Sequence, residues 1–229
     1  KGFPEKFTQA EAGIRGSSEQ WVWQASFYHT WIEDMIVRSP YQAAGKTLAL
    51  KANGNGYIQG IEVELGYDWD SEWKSNLSFS WMESEVEQLK ENASGSRMKL
   101  VDHDNDESTA KILKGFDPVD RATTRLMPTQ IQFLTRYTPQ ASPWWGELSI
   151  LAIGKANELS LKDETDSSRI PSNGTPGFAL LGLRGGRSVS ENTTLILGVE
   201  NLGDVDYRIH GSGLNGPGRN FIFSLAHSF

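Results

Sequence analysis

The sequence has no cysteine. Disulfides and thiolate metal sites are therefore excluded. No stretch approaches 18 consecutive apolar residues, so the chain holds no transmembrane helix. Helical periodicity is nearly absent. Histidine is scarce: His29, His103, His210 and His227 are the only four, and none stands at a metal-binding spacing from another. Lysine and arginine do not cluster, and 22 of them face 29 acidic residues for a net charge of -7. That balance argues against a nucleic-acid partner. No G-x-S-x-G, H-E-x-x-H or phosphate-binding loop occurs. No enzyme and no cofactor are expected. A starting methionine is also lacking. Lys1-Gly2-Phe3-Pro4 reads as the interior of a longer chain, or as a chain whose leader has been removed.

What the sequence does have is alternation with a period of two. From Tyr57 to Trp69 the odd positions carry Tyr57, Gln59, Ile61, Val63, Leu65, Tyr67 and Trp69, while the even ones include Gly60, Glu62, Glu64, Gly66 and Asp68. The next run repeats the pattern, with Trp73, Leu77, Phe79 and Trp81 against Lys74, Asn76, Ser78 and Ser80. Only Asp70-Ser71-Glu72 lies between them. A shared apolar face requires opposed residues to have the same parity, and a three-residue loop pairing Trp69 with Trp73 achieves it. Leu65 should then oppose Leu77, Val63 should oppose Phe79, and Asp68 should oppose Lys74.

The same reading gives nine strands in all. Their connections alternate: short near 17–18, 70–72, 139–142 and 188–190, long at roughly 36–55, 84–126, 157–175 and 203–216. Transmembrane barrels sort their loops in this way, with short periplasmic turns and long extracellular loops. Trp21, Trp23, Trp69, Trp73, Trp144 and Trp145 cluster beside the short turns with Tyr67 and Tyr137. That is the composition of an interfacial aromatic girdle. A mean hydropathy of -0.45 does not conflict, because barrel strands average a lipid face with a polar one.

Several stretches resemble the C-terminal barrel of TonB-dependent receptors. Pro4-Glu5-Lys6 with Glu11-Ala12-Gly13-Ile14-Arg15 is similar to a mid-barrel strand of that family, and so is Tyr57-Ile58-Gln59-Gly60-Ile61-Glu62. Pro176-Gly177-Phe178 is similar to the aromatic opening three strands before its end. Most specific is the tail, where Val199-Glu200-Asn201-Leu202-Gly203-Asp204-Val205-Asp206-Tyr207-Arg208 follows the family's V-x-N-L-[FG]-D-x-x-Y pattern. His210 to Gly213, Pro217 to Phe221 and the terminal Phe229 complete it. The family more often has Phe at the place of Gly203.

The resemblance implies an all-β, antiparallel, up-and-down transmembrane barrel, of which residues 1–229 supply about nine C-terminal strands out of roughly 22. The plug domain and earlier strands would lie outside this sequence. It also implies an outer-membrane receptor of a Gram-negative bacterium that imports a ferric siderophore, haem, cobalamin or similar scarce nutrient. Its partners would be outer-membrane lipid, its own plug, the TonB complex, the barrel-assembly machinery acting on the C-terminal strand, and a small-molecule or metal-chelate ligand. A passive channel and a soluble β-sandwich that binds carbohydrate are the alternatives.

Four groups of residues are candidates for specific roles. Glu62, Glu64, Asn76 and Ser78 should line the lumen. Asp102, Asp104 and Asp106 alternate as calcium-loop carboxylates do, but Glu107 and Leu113 stand where the EF-hand needs Gly and Glu. Asn201, Asp204 and Tyr207 stand where a strand turns into a loop, and Gly218, Arg219 and Phe229 where the chain returns; a structural role is expected for these. His227 should reach the lipid interface.

Overall fold

The computed structural model describes residues 3–43, 46–91, 97–100, 111–114 and 116–228. It is a large antiparallel sheet that curls into a partial, unclosed barrel. Nine strands follow one another across it in the order β1 (Lys6–Ser17), β2 (Trp21–Ala43), β3 (Lys46–Asp68), β4 (Trp73–Glu91), β8 (Gln130–Tyr137), β9 (Trp144–Ile153), β10 (Phe178–Ser190), β11 (Thr193–Glu200) and β12 (Asn220–His227). β7 (Phe116–Arg121) pairs with the far half of β4, and β5 (Arg97–Leu100) pairs with β6 (Lys111–Lys114) as a separate hairpin. The only helix among the described residues is α1 (Leu161–Glu164), inside a long loop.

The register follows the alternation. Leu65 opposes Leu77, Val63 opposes Phe79 and Asp68 opposes Lys74. Trp69 N–H donates to the Trp73 carbonyl at 3.0 Å, closing the three-residue loop. Asp70 makes that loop cheap to close: its carboxylate accepts from the amides of Glu72 and Trp73, both at 2.8 Å.

One face of the sheet is an apolar band. Ile14, Phe27, Ile61, Ile131, Ile150, Leu183, Leu197, Phe223 and Leu225 all point from it and all remain exposed. A soluble sandwich would bury them against a second sheet, and none covers them here. Trp21 packs on Tyr67, Trp73 stacks on Tyr137, and Trp144 meets Tyr137 edge-on at the short-turn end. The Trp69 indole donates to Ser75 Oγ at 2.8 Å, so its polar atom is satisfied while its ring faces outward. Going up β4, this face meets its first carboxylate at Glu83, ten residues after Trp73. That is about 33 Å of strand, or about 25 Å of height at a barrel tilt near 40°, the thickness expected of a lipid-facing band. At that level His29, Trp31, Tyr57, Gln59 and Glu83 form a second, hydrogen-bonded belt, with Tyr57 Oη donating to Glu83 at 2.9 Å.

Three expectations need correction. Residues 36–55 and the start of 84–126 are not loops. β2, β3 and β4 continue well past the upper belt as a paired ribbon. An extra residue between Ile32 and Met35, with Asp34 at φ +57°, reverses the parity of β2 and hides the continuation from an alternation count. Val37 and Ser39 thereby join Ile32 and Val86 in burial. Trp145 does not belong to the girdle: it neighbours Trp144 in one strand and must face the other way, where the Arg136 guanidinium lies 4.0 Å above its ring. The 188–190 turn is part of β10, and the reversal comes at Glu191-Asn192.

Replacing Val63 by Arg puts a charge at mid-band, whereas Ser80→Arg puts it on the polar face one strand away. In the full-length protein refolded into lipid, Val63→Arg should lower the unfolding free energy by about 2–4 kcal/mol, and Ser80→Arg by less than about 1.

Candidate functional site

The polar face and the long-loop end are the two surfaces with chemistry on them. On the polar face, Glu62 opposes Ser80, Glu64 opposes Ser78, and Gly66 opposes Asn76, so β3 and β4 bring the four predicted lumen residues onto one wall. Gln24 on β2 donates to Glu64 at 2.7 Å. Glu62 has no hydrogen bond or ion pair among the described residues. Its cross-strand neighbours are small, Ser26 on β2 and Ser80 on β4. The wall is shallow and encloses nothing by itself.

Further along the same face runs a row of charges, of which alternation had placed only Asp68 and Lys74. Asp68 pairs with Lys74 at 2.7 Å, Lys74 sits beside Arg136, Arg136 Nε is 3.2 Å from Glu147, and Arg184 Nε donates to Glu147 from the other side. The row crosses five strands in one line, as two ion-paired groups. The Glu147 side chain is only 4% exposed, so its charge is held by its two arginines rather than by water. Applying the same parity argument to β8, β9 and β10 would have found it, since Arg136, Glu147 and Arg184 are directly opposed.

The long-loop end has its own small core. Leu89, Phe116, Ala122, Ala156, Leu159, Leu161 and Ile170 are buried there. Ser160 caps α1 by accepting from Asp163 N–H at 3.1 Å. Asp163, 1% exposed, accepts in turn from Ser160 Oγ and from Arg125 N–H, both at 2.9 Å. Arg125 holds φ +63° to make that contact and also reaches Asp166. Hydrogen bonds from Ser168 and then from Arg125, together with the arginine charge, hold the Asp166 carboxyl below its usual range.

The tail residues sit on the loop between β11 and β12. Asn201 Nδ2 donates to the carbonyls of Val205 and Pro217, while its Oδ1 accepts from Val205 N–H at 2.8 Å. Asp204 Oδ1 accepts from Arg219 N–H at 2.8 Å, and Arg219 Nε returns a bond to Leu202 O at 2.9 Å. Tyr207 packs on Phe178. A Cβ on Gly216 would fall 2.1 Å from the Tyr207 ring, and one on Gly218 would fall 2.7 Å from Asp204. The possible calcium residues Asp102, Asp104 and Asp106, and the terminal Phe229, lie outside the described residues. Among those described, no group of His and carboxylates is arranged to hold a metal. His227 does lie on the apolar face, two positions from Leu225, bonded to Thr193.

A sheet that is apolar outside, polar inside, short-turned at one rim and long-looped at the other is the wall of a membrane barrel. The chain belongs to the TonB-dependent receptor-like β-barrel family, whose model matches residues 2–202. That family is one of transport receptors. Among solved structures the chain is similar to the copper transporter OprC, at 21% identity and a TM-score of 0.74 over 100% of this chain and 32% of that one. It is similar to a mutant of the ferric enterobactin receptor PfeA from Pseudomonas aeruginosa, at 19% identity and a TM-score of 0.62 over 98% of this chain and 31% of that one. It is similar also to the FrpB iron transporter from Neisseria meningitidis, at 14% identity and a TM-score of 0.61 over 98% of this chain and 31% of that one. The chain thus spans about a third of each of these structures, and at such identities the likeness is one of fold. No curated protein sequence matches it.

Three outcomes follow for the full-length protein. Glu147→Ala leaves two guanidinium groups facing each other and should cost about 1–3 kcal/mol, read as an earlier denaturant midpoint. Gly216→Ala should displace Tyr207 from Phe178 and lower the melting temperature. Gly203→Ala, which meets nothing closer than 3.4 Å, should leave that temperature unchanged or raise it.

Proposed function

We propose that this chain is the C-terminal wall of a larger outer-membrane barrel that captures a scarce metal or metal chelate at the cell surface and imports it with energy delivered by TonB. The observation that carries this reading is the inside-out sheet with its long loops gathered at one rim, in a chain of the receptor family. Similar structures named as a copper transporter, a ferric enterobactin receptor and an iron transporter favour a metal-bearing cargo over cobalamin or a sugar. The two open edges of the sheet point to a larger barrel. β1 and β12 end the sheet, and bare strand edges are not tolerated in hydrocarbon. Strands outside this sequence would close it.

On this reading the long loops face the outside and the short turns face the periplasm of a Gram-negative cell. Glu62, Glu64, Asn76 and Ser78 would face the plug or the hydrated path of the cargo. The charge row through Glu147 would brace the same wall nearer the periplasm. Asn201, Asp204, Tyr207, Gly218 and Arg219 would hold the last loop in shape rather than touch cargo. The terminal strand would be read by the assembly machinery. The chain would perform no chemistry on what it carries.

The test uses the full-length protein in its own cells. It should sit in the outer-membrane fraction and shift its gel mobility on boiling. Cells should take up copper or ferric enterobactin in a manner that a protonophore abolishes, with surface binding retained. Uptake indifferent to the protonophore would make the barrel a passive channel. A soluble protein without a mobility shift would remove the membrane reading altogether.

A further inference from the structure

The long-loop end contains a titratable group placed where three loops meet. His210 belongs to the 201–219 loop and is 8% exposed. Its Nδ1 shares a 2.9 Å hydrogen bond with Thr175 Oγ1 in the 154–177 loop, where Thr175 is fixed by paired backbone bonds to Ala156. The next residue, Gly211, takes φ +80°, and a Cβ there would fall 2.8 Å from Arg125 Cδ in the 122–129 loop. Arg125 in turn is tied to Asp163 and Asp166. The Nε2 of His210 is buried and has no hydrogen-bond partner.

We propose that His210 is a proton-sensitive latch: its neutral imidazole fastens the 201–219 loop to the 154–177 loop, beside the close approach of Gly211 to Arg125, and its protonation releases the 201–219 loop. The charged groups around it settle the direction. Asp163 favours a cation at His210, but Oδ2 of Asp163 already accepts from Ser160 and Arg125, and its Oδ1 faces the Arg125 guanidinium at 3.5 Å. Arg125 repels a second cation. Asp166 is committed to Arg125 and Ser168, and Arg169 adds another positive charge alongside Gly213. Burial, the larger influence, and Arg125 together push the imidazole below its ordinary value against the pull of Asp163. The fastened form therefore binds a proton less readily than the released form, whose imidazole titrates near 6.5. Fastening is complete above about pH 6.5 and is lost as the pH falls below it toward the lowered value. This inference stands on the packing of the three loops and does not depend on which cargo the receptor carries.

The test is hydrogen exchange read by mass spectrometry on the full-length protein in detergent, at about pH 7.5 and about pH 5.5, corrected for intrinsic exchange rates. Amides of 201–219 should lose protection by roughly threefold to tenfold on acidification. His210→Gln can still accept from Thr175 but cannot titrate, so its protection should be the same at both pH values. Thr175→Val should lower protection of 201–219 already at the higher pH. A gel shift on boiling establishes that each variant barrel is folded. Unchanged protection of the wild type on acidification, or an equal loss in His210→Gln, would overturn the latch. So would full protection in Thr175→Val, an outcome readable even if His210→Gln failed to assemble.

Discussion

A backbone amide in hydrocarbon has no water to turn to, so every N–H and C=O at membrane depth must find its partner on a neighbouring strand. The rest of this structure follows from that constraint. Strands must pair along their length. Pairing gives side chains a period of two, and lipid on one side with a polar interior on the other sorts them by parity. Leu65 with Leu77 and Val63 with Phe79 face outward, while Glu62, Glu64 and Asn76 face inward on the same two strands. The band stops where the need stops. On β4 it ends at Glu83, and the indoles and phenols stand at its two margins, with rings in the apolar layer and polar atoms bonded to Ser75 or Glu83.

Beyond the band the rules change, and so does the architecture. Water can satisfy a backbone there, so the sheet edge is free to break up into β7, a hairpin and irregular loops. Hydrophobic residues now bury themselves in the ordinary way, as Ile170, Leu161 and Val86 do. Polar groups are drawn in with them and most find partners, Ser84 in Thr123, Gln88 in Leu161 and Ala122, Asp163 in Ser160 and Arg125, whereas His210 Nε2 finds none. The loop end is therefore a packed cap rather than a fringe of independent loops, and this is why the 201–219 loop meets Thr175 through His210 and Arg125 through Gly211.

The membrane-depth part of the fold was legible because the sequence leaves it almost no freedom. A three-residue loop between two alternating runs admits one register, and β3–β4 adopts it residue for residue. The family resemblance, carried by motifs from Pro4 to the tail, agreed with that derivation. What escaped the sequence did so for physical reasons. The extra residue near Asp34 reversed parity just where lipid gave way to water, so the upper ribbon read as a loop. Trp144 and Trp145 were taken together although neighbours in a strand cannot share a face. The Arg125–Asp163 contact joins residues 38 apart through an irregular path that no periodicity announces. Parity put Glu62, Glu64, Asn76 and Ser78 on one polar face of β3 and β4, but parity says nothing of what they touch.

The central claim is that odd-numbered side chains of β4 at membrane depth meet lipid and even-numbered ones do not. This chain contributes no cysteine, so single cysteines can be introduced along it in turn and labelled with an environment-sensitive fluorophore. The measurement is quenching by brominated lipids in the full-length protein for Leu77→Cys, Ser78→Cys, Phe79→Cys and Ser80→Cys. The account predicts strong quenching at 77 and 79 and weak quenching at 78 and 80. Uniform quenching, or the opposite alternation, would contradict it.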